Sequence, residues 1–282
     1  MKEKKPLFTG AACALITPFL QNGAVDTERL CKLTEFQIQN GTSALVVCGT
    51  TAEASTLTEE EQVLCIQTVV SVRNGRVPVI AGAGSNNTQT AIRKTIAAQQ
   101  AGADALLHIT PYYNLGTAQG IMRHFFAIAD ASKLPILLYH VPGRTGVRLD
   151  VESCAHLAEH THIVGIKDAT GDVNYGAQLL RRCNTLLDVY CGCDGLTVPY
   201  LSLGAKGVIS VLSNLEPQLM RDMCRAYFRA DTEKAAHLQL GALPMIQKLF
   251  SNTSPAPLKY YMAKRGMCEN VLRLPLSALD TL

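Results

Sequence analysis

Eight short apolar runs rich in β-branched residues, separated by longer stretches of helical patterning, constrain this chain more than any other feature. The runs cover 11–17, 44–48, 77–81, 105–110, 135–140, 163–167, 188–191 and 207–211. Between them, segments such as 26–40, 58–74, 88–101, 117–132, 151–160 and 174–183 carry apolar residues at helical spacing. Strands alternating with helices read as βαβ units, and hence as a parallel sheet. An open doubly wound sheet and a closed barrel both fit that alternation. Eight units of roughly 25–35 residues favour an α/β fold of the (β/α)8 TIM-barrel type.

The punctuation agrees. Asp26 with Arg29, Thr58 with Glu61, and Thr88 stand where helix N-caps are expected. Gly41, Gly75 and Gly102 follow helical stretches, at positions where a left-handed backbone is common. Residues 1–215 are therefore read as the catalytic barrel. Residues 216–282 keep helical patterning with no further strand, and are read as a C-terminal helical extension packed on it.

Composition narrows the function. The chain has 282 residues, 48% hydrophobic and 17% charged, enough to bury a sizeable core. A formal charge of +3, scattered basic residues and no Trp leave no footprint for nucleic acid. No apolar run approaches the ~18 residues that span a bilayer. Lys2, Lys4 and Lys5 ahead of residues 7–20 loosely imitate a secretory signal, but Thr9, Thr17 and Pro18 interrupt the stretch. A first strand ending at Thr17-Pro18 is the better reading. Most of the ten cysteines, such as Cys13, Cys48 and Cys65, sit in apolar runs and read as small hydrophobes. Cys191-x-Cys193 alone is no metal half-site. His156, His160 and His162 lie on or after an outer helix, where solvated or capping roles are expected. No metal or cofactor is expected, and the protein is read as reduced and cytoplasmic.

In such a barrel the active site lies at the C-terminal ends of the strands. Polar residues there are Gly49-Thr50-Thr51-Ala52-Glu53, Thr110-Pro111-Tyr112-Tyr113-Asn114, Tyr139 through Gly146, and Gly165-Ile166-Lys167-Asp168. Strand alternation with Val164 and Ile166 toward the helices turns Ile163, Gly165 and Lys167 inward. Burial disfavours a charged amine, and the neutral amine is the form that attacks a ketone to give an imine. The alternative is an ion pair between Lys167 and Asp168 at the barrel rim. Thr50 and Thr51 suit a carboxylate held by hydroxyls and backbone N–H groups, or ordinary loop capping. Tyr139 is a proton shuttle or a strand-end aromatic. Arg144 forks onto a substrate carboxylate or onto an acidic side chain of the protein. Ala81-Gly82-Ala83-Gly84 reads as a tight turn.

Together these segments resemble the dihydrodipicolinate synthase and N-acetylneuraminate lyase superfamily, over nearly the whole chain. The pieces are Gly41-Thr42-Ser43, Gly49-Thr50-Thr51-x-Glu53, Pro111-Tyr112-Tyr113-Asn114, Tyr139-x-Val141-Pro142-x-Arg144-Thr145-Gly146, Gly165-Ile166-Lys167-Asp168 and Gly207-Val208-Ile209-Ser210. The resemblance implies a Schiff-base lyase in which Lys167 forms an imine with pyruvate and Thr50 and Thr51 hold its carboxylate. It implies a proton relay of Tyr139, Thr51 and Tyr113, with Tyr113 reaching into a neighbouring subunit's site. It also implies a pocket lined by backbone of Gly192 and Ile209, and a homotetramer built as a dimer of dimers. Members that condense pyruvate with aspartate semialdehyde carry an Arg where this chain has Arg144. The expected reaction is thus that condensation, the entry step to diaminopimelate and lysine. The alternatives are a pyruvate-dependent lyase of the same superfamily acting on a longer keto acid, and a non-catalytic ligand-sensing barrel. Two positions depart from the family pattern: Ala52 replaces the usual Gly, and His140 the usual Asn.

Overall fold

The computed structural model describes residues 5–183 and 185–281. Eight parallel strands, β1 (Gly10–Ala14), β2 (Ala44–Val47), β3 (Val79–Gly82), β4 (Ala105–Ile109), β5 (Ile136–His140), β6 (Ile163–Asp168), β7 (Asp188–Cys191) and β8 (Gly207–Ser210), form a barrel in sequence order. β8 closes onto β1 through Gly10 to Cys13. The expected alternation is thus present, and the sheet is closed rather than open.

The helices are α1 (Thr27–Gln39), α2 (Glu59–Arg73), α3 (Thr88–Gln100), α4 (Ala118–Ala131), α5 (Pro142–Thr145), α6 (Val151–Leu157), α7 (Val173–Cys183), α8 (Thr197–Ser202), α9 (Pro217–Phe228), α10 (Thr232–Leu249) and α11 (Ala256–Lys264). α9 packs against β1 and completes the outer ring; α10 packs on α9. Asp26 accepts from the Arg29 amide, and Thr58 and Glu61 form a reciprocal capping box. Gly41, Gly75 and Gly102 have φ of 81°, 74° and 93°, as their places after helices require. No described helix is long and apolar enough to cross a membrane.

Three expectations need correction, and two short helices were not foreseen. The cap of α3 is Asn87, whose side chain accepts from the Thr90 amide; Thr88 is already helical, and its hydroxyl meets His124 Nδ1 at 2.9 Å. β1 ends at Ala14 instead of Thr17, because the Ile16 amide turns to the Asn214 side chain and leaves the ladder. The one-turn α5 and the six-residue α8 were too short to show a helical period. Finally, the alternation along β6 is broken. Its register against β5 shifts between Ile136 and Leu137, so that Ile136 faces Ile163 and Leu137 faces Gly165. Such a bulge resets which face each residue takes. Ile163 therefore packs with the helices and Val164 with the barrel interior, opposite to the simple count. Past the bulge, Ile166 is outside as expected.

The interior is filled by small and medium side chains, including Ala12, Ala44, Val46, Ile80, Leu107, Leu137 and Ile209. Phe8, ahead of β1, enters this interior and stacks on Tyr190 with ring centroids 4.2 Å apart. The Tyr190 hydroxyl donates to the Phe8 carbonyl. This is a packed core, not a pore, so a ligand can enter only at the strand ends.

Candidate active site

Lys167 and Tyr139 are register partners on β6 and β5. The Lys167 Nζ lies 4.4 Å from the Tyr139 ring centroid. Lys167 is only 6% exposed, and its side chain forms no ion pair and no hydrogen bond with the described residues. The adjacent Asp168 points the other way. It accepts from the Tyr200 hydroxyl at 2.7 Å and from the Thr170 amide at 2.9 Å, and burial raises its carboxyl above the usual range. The rim ion pair between Lys167 and Asp168 is therefore not formed, because strand alternation places the two side chains on opposite faces.

Thr50 and Thr51 lie in a 3-10 turn, Thr50–Ala52, straight after β2. The positive φ angles of this segment fall on Cys48 (55°) and Glu53 (56°) and not on Ala52, so the alanine sits there without backbone strain. The turn is possible because β3 ends in Gly82. A Cβ there would lie 2.0 Å from the Cys48 carbonyl oxygen. The Ala81-Gly82-Ala83-Gly84 segment thus serves close backbone approach. Gly192 plays a similar part after β7, where a Cβ would meet the Ala169 Cβ at 2.7 Å.

A cavity of 240 Å³ brings together Thr50, Thr51, Tyr139, Arg144, Lys167 and Gly192. A second cavity of 330 Å³ shares Thr50, Tyr139 and Arg144 with it and runs past Gln62, Lys94 and Tyr112 to Leu276. Arg144, on α5, is exposed and has no carboxylate partner among the described residues; one guanidinium nitrogen donates to the Ser254 carbonyl at 3.0 Å. Two of the expected residues are not among those lining either cavity. Ile209 is fully buried in the barrel interior, and Val211 lines the wall instead. Tyr113 is 89% exposed, on the loop after β4.

Several lining residues escaped the sequence reading. Asp194, after β7, accepts from the Val211 and Leu212 amides and so ties the β7 and β8 ends together. Burial raises its carboxyl, and Lys167 acts against that rise. Phe250 and Ser254 come from the C-terminal extension, whose apolar patterning gave no sign of a site. His140 accepts from the Leu149 amide at 3.1 Å, and burial lowers it to about 4. The other histidine cluster is spent on local contacts: His156 pairs with Glu159, His160 with Asp130, and His162 meets the Ala129 carbonyl.

Comparison with known proteins fits this geometry. The model of the dihydrodipicolinate synthetase family matches residues 7–281. A 4-hydroxy-tetrahydrodipicolinate synthase of Geobacter metallireducens is 47% identical over 270 residues, covering 96% of this chain and 93% of the relative. The chloride-inhibited dihydrodipicolinate synthase of Acinetobacter baumannii, solved with pyruvate, superposes with a TM-score of 0.95 at 43% identity, covering 96% of this chain and 94% of its own. A structure described as the first monomeric dihydrodipicolinate synthase variant has a TM-score of 0.95 at 36% identity, covering 97% and 92%. With a full-length match and a shared barrel, the chain belongs to the dihydrodipicolinate synthetase family.

Proposed function

We infer that this chain is a 4-hydroxy-tetrahydrodipicolinate synthase, condensing pyruvate with aspartate semialdehyde on the way to diaminopimelate and lysine. The observation that carries this reading is a buried Lys167 with no ion-pair partner, sharing one cavity with Thr50, Thr51 and Tyr139. The neutral Lys167 amine attacks the pyruvate ketone, and loss of water leaves an imine. Thr50 and Thr51 hold the pyruvate carboxylate at the start of their turn. Loss of a methyl proton gives the enamine, whose carbon attacks the aldehyde of the second substrate. Tyr139, Thr51 and Tyr113 relay the protons that these steps release and consume. The second substrate's amine then displaces Lys167 from the imine carbon, which closes the ring and frees the enzyme.

Arg144 receives the carboxylate of aspartate semialdehyde, since a small aldehyde bearing a negative charge calls for a cation at the mouth. Gly192 shapes the pocket through its backbone, with Val211 beside it in the place expected for Ile209. Tyr113 serves a neighbouring subunit's site, in a cytoplasmic homotetramer built as a dimer of dimers. Because a relative is described as monomeric, the mass in solution is to be measured by sedimentation.

Borohydride reduction in the presence of pyruvate should add a pyruvate-derived mass to the peptide holding Lys167, and the same protein should form product from pyruvate and aspartate semialdehyde. An adduct on another lysine would overturn the role of Lys167. An adduct on Lys167 with turnover only on longer keto acids would make the chain another lyase of its kind.

A further inference from the structure

We propose that the buried Glu53–Lys259 ion pair is a positioning device that fixes the Thr50–Thr51 turn, so that the C-terminal extension sets the affinity of the site for a 2-keto-acid carboxylate. The proposal rests on the reading that this turn holds the pyruvate carboxylate.

Glu53 directly follows the turn, and its amide donates to the Thr50 carbonyl at 3.1 Å. Its φ of 56° is uncommon for a residue with a side chain, and such a conformation persists only where the surroundings over-determine it. Here the carboxylate is gripped from two sides. Lys259 Nζ of α11 lies 2.5 Å from Oε1, and the Arg273 amide donates to Oε2 at 3.0 Å. Both side chains of the pair are fully buried. Lys259 Nζ also donates to the Val271 carbonyl at 2.9 Å and stands 4.0 Å over the Phe19 ring. Burial draws this lysine down, and the Glu53 carboxylate opposes that.

The far side is equally tied. The Arg273 guanidinium binds both oxygens of Glu61 at 2.6 Å, donates to the Thr56 and Gly23 carbonyls, and covers the same Phe19 ring. The segment from Thr50 to Glu61 is therefore pinned by α11 and the residues after it. A fully buried ion pair does little for stability that an apolar pair of equal volume would not do. What it adds is direction: two charges with one good geometry hold the αL residue, and with it the turn, in place. The same extension holds Arg144 through the Ser254 carbonyl, so both carboxylate-binding parts of the site lean on it.

The test is the double variant Glu53→Gln/Lys259→Met, which removes both charges, keeps the volumes and leaves no orphan ion. The KM for pyruvate should rise about tenfold or more, a larger change than the fall in kcat that a displaced Thr51 brings at saturating pyruvate, while the KM for aspartate semialdehyde is little changed. A loss of active fraction and melting temperature with an unshifted pyruvate KM overturns the proposal, because that is what a merely structural pair would do. Should the double variant not fold, Glu53→Gln decides: it keeps an acceptor for the Arg273 amide but removes the charge that pairs with Lys259, it should give the same split in smaller measure, and an unshifted pyruvate KM in that folded protein also overturns the proposal. Pyruvate trapping on the unaltered enzyme separates the two readings. No adduct on Lys167 removes the site assignment itself, whereas a normal adduct with unshifted KM in the variants removes only the positioning role.

Discussion

Lys167 and Asp168 are neighbours in sequence and opposites in environment. One faces a cavity and forms no ion pair among the described residues; the other is satisfied by Tyr200 and Thr170 on the helix side. The type of each residue was legible, and so was its place at a strand end, which is why Lys167, Thr50, Thr51, Tyr139 and Arg144 could be singled out. Their partners were not. Arg273 donates to Glu53 from 220 residues further along the chain, and nothing local to either residue signals the contact. Arg144 offers the clearest test at this scale. Its guanidinium reaches only a backbone carbonyl among the described residues, which leaves donors for a ligand. Arg144→Ala should lower kcat/KM for aspartate semialdehyde by at least about thirtyfold, taking ~2–5 kcal/mol for a lost charge partner. Imine formation with pyruvate should remain measurable. Near-wild-type condensation by the variant would remove Arg144 from second-substrate binding.

At the scale of elements, β4 and the helices outside it set a limit on acid stability. His108 on β4 is fully buried, bonded to Thr95 of α3, and burial with the nearby His124 lowers it to about 3. His124 on α4 is lowered to about 4 by burial, as is His140 on β5 by burial and Arg148. In each case the folded value lies below the ordinary 6.5, so the fold keeps the neutral ring. Above about pH 6.5 both states are neutral, and this contribution to stability is whole. As pH falls below that, the unfolded chain takes up protons that the native one refuses, and stability drops until the folded values near 3 to 4 are reached. The slope is about 1.4 kcal/mol per pH unit per histidine, or about 2 kcal/mol each by pH 5. Denaturant unfolding of His108→Gln between pH 7 and 5 should lose about a third of the histidine-dependent slope seen in the wild type. An unchanged slope would mean that His108 protonates within the fold.

For the whole molecule, the exposed rim matters most. Tyr113 is 89% exposed with φ of 72°, and Leu115 beside it is 62% exposed with φ of 40°. Two bulky residues in left-handed conformations on an open loop are costly for a chain standing alone. A second subunit packing there would offset that cost and carry the Tyr113 hydroxyl toward its own cavity. Co-refolded Tyr113→Phe and Lys167→Ala subunits should therefore recover activity that neither parent has, through sites holding both native groups. Mixed oligomers with no recovery would show that each barrel works with its own residues.

The sequence by itself determined the repeating βαβ order, the count of eight strands, the helix caps at Asp26 and Thr58, and the polar strand ends where chemistry could sit. These are short-range properties: a period of two or 3.6, a cap three residues from its amide, a glycine where φ must be positive. Tertiary structure decided the rest. Closure of β8 onto β1 makes one mouth out of eight strand ends. The register shift between β5 and β6 reversed the faces of Ile163 and Val164 while leaving Lys167 inside. The competition for the Ile16 amide ended β1, and the fold brought α11 and Arg273 back under the Thr50–Thr51 turn. Such outcomes depend on distances between segments far apart in the chain, and burial and charge pairing acquire their energies only once those distances are set.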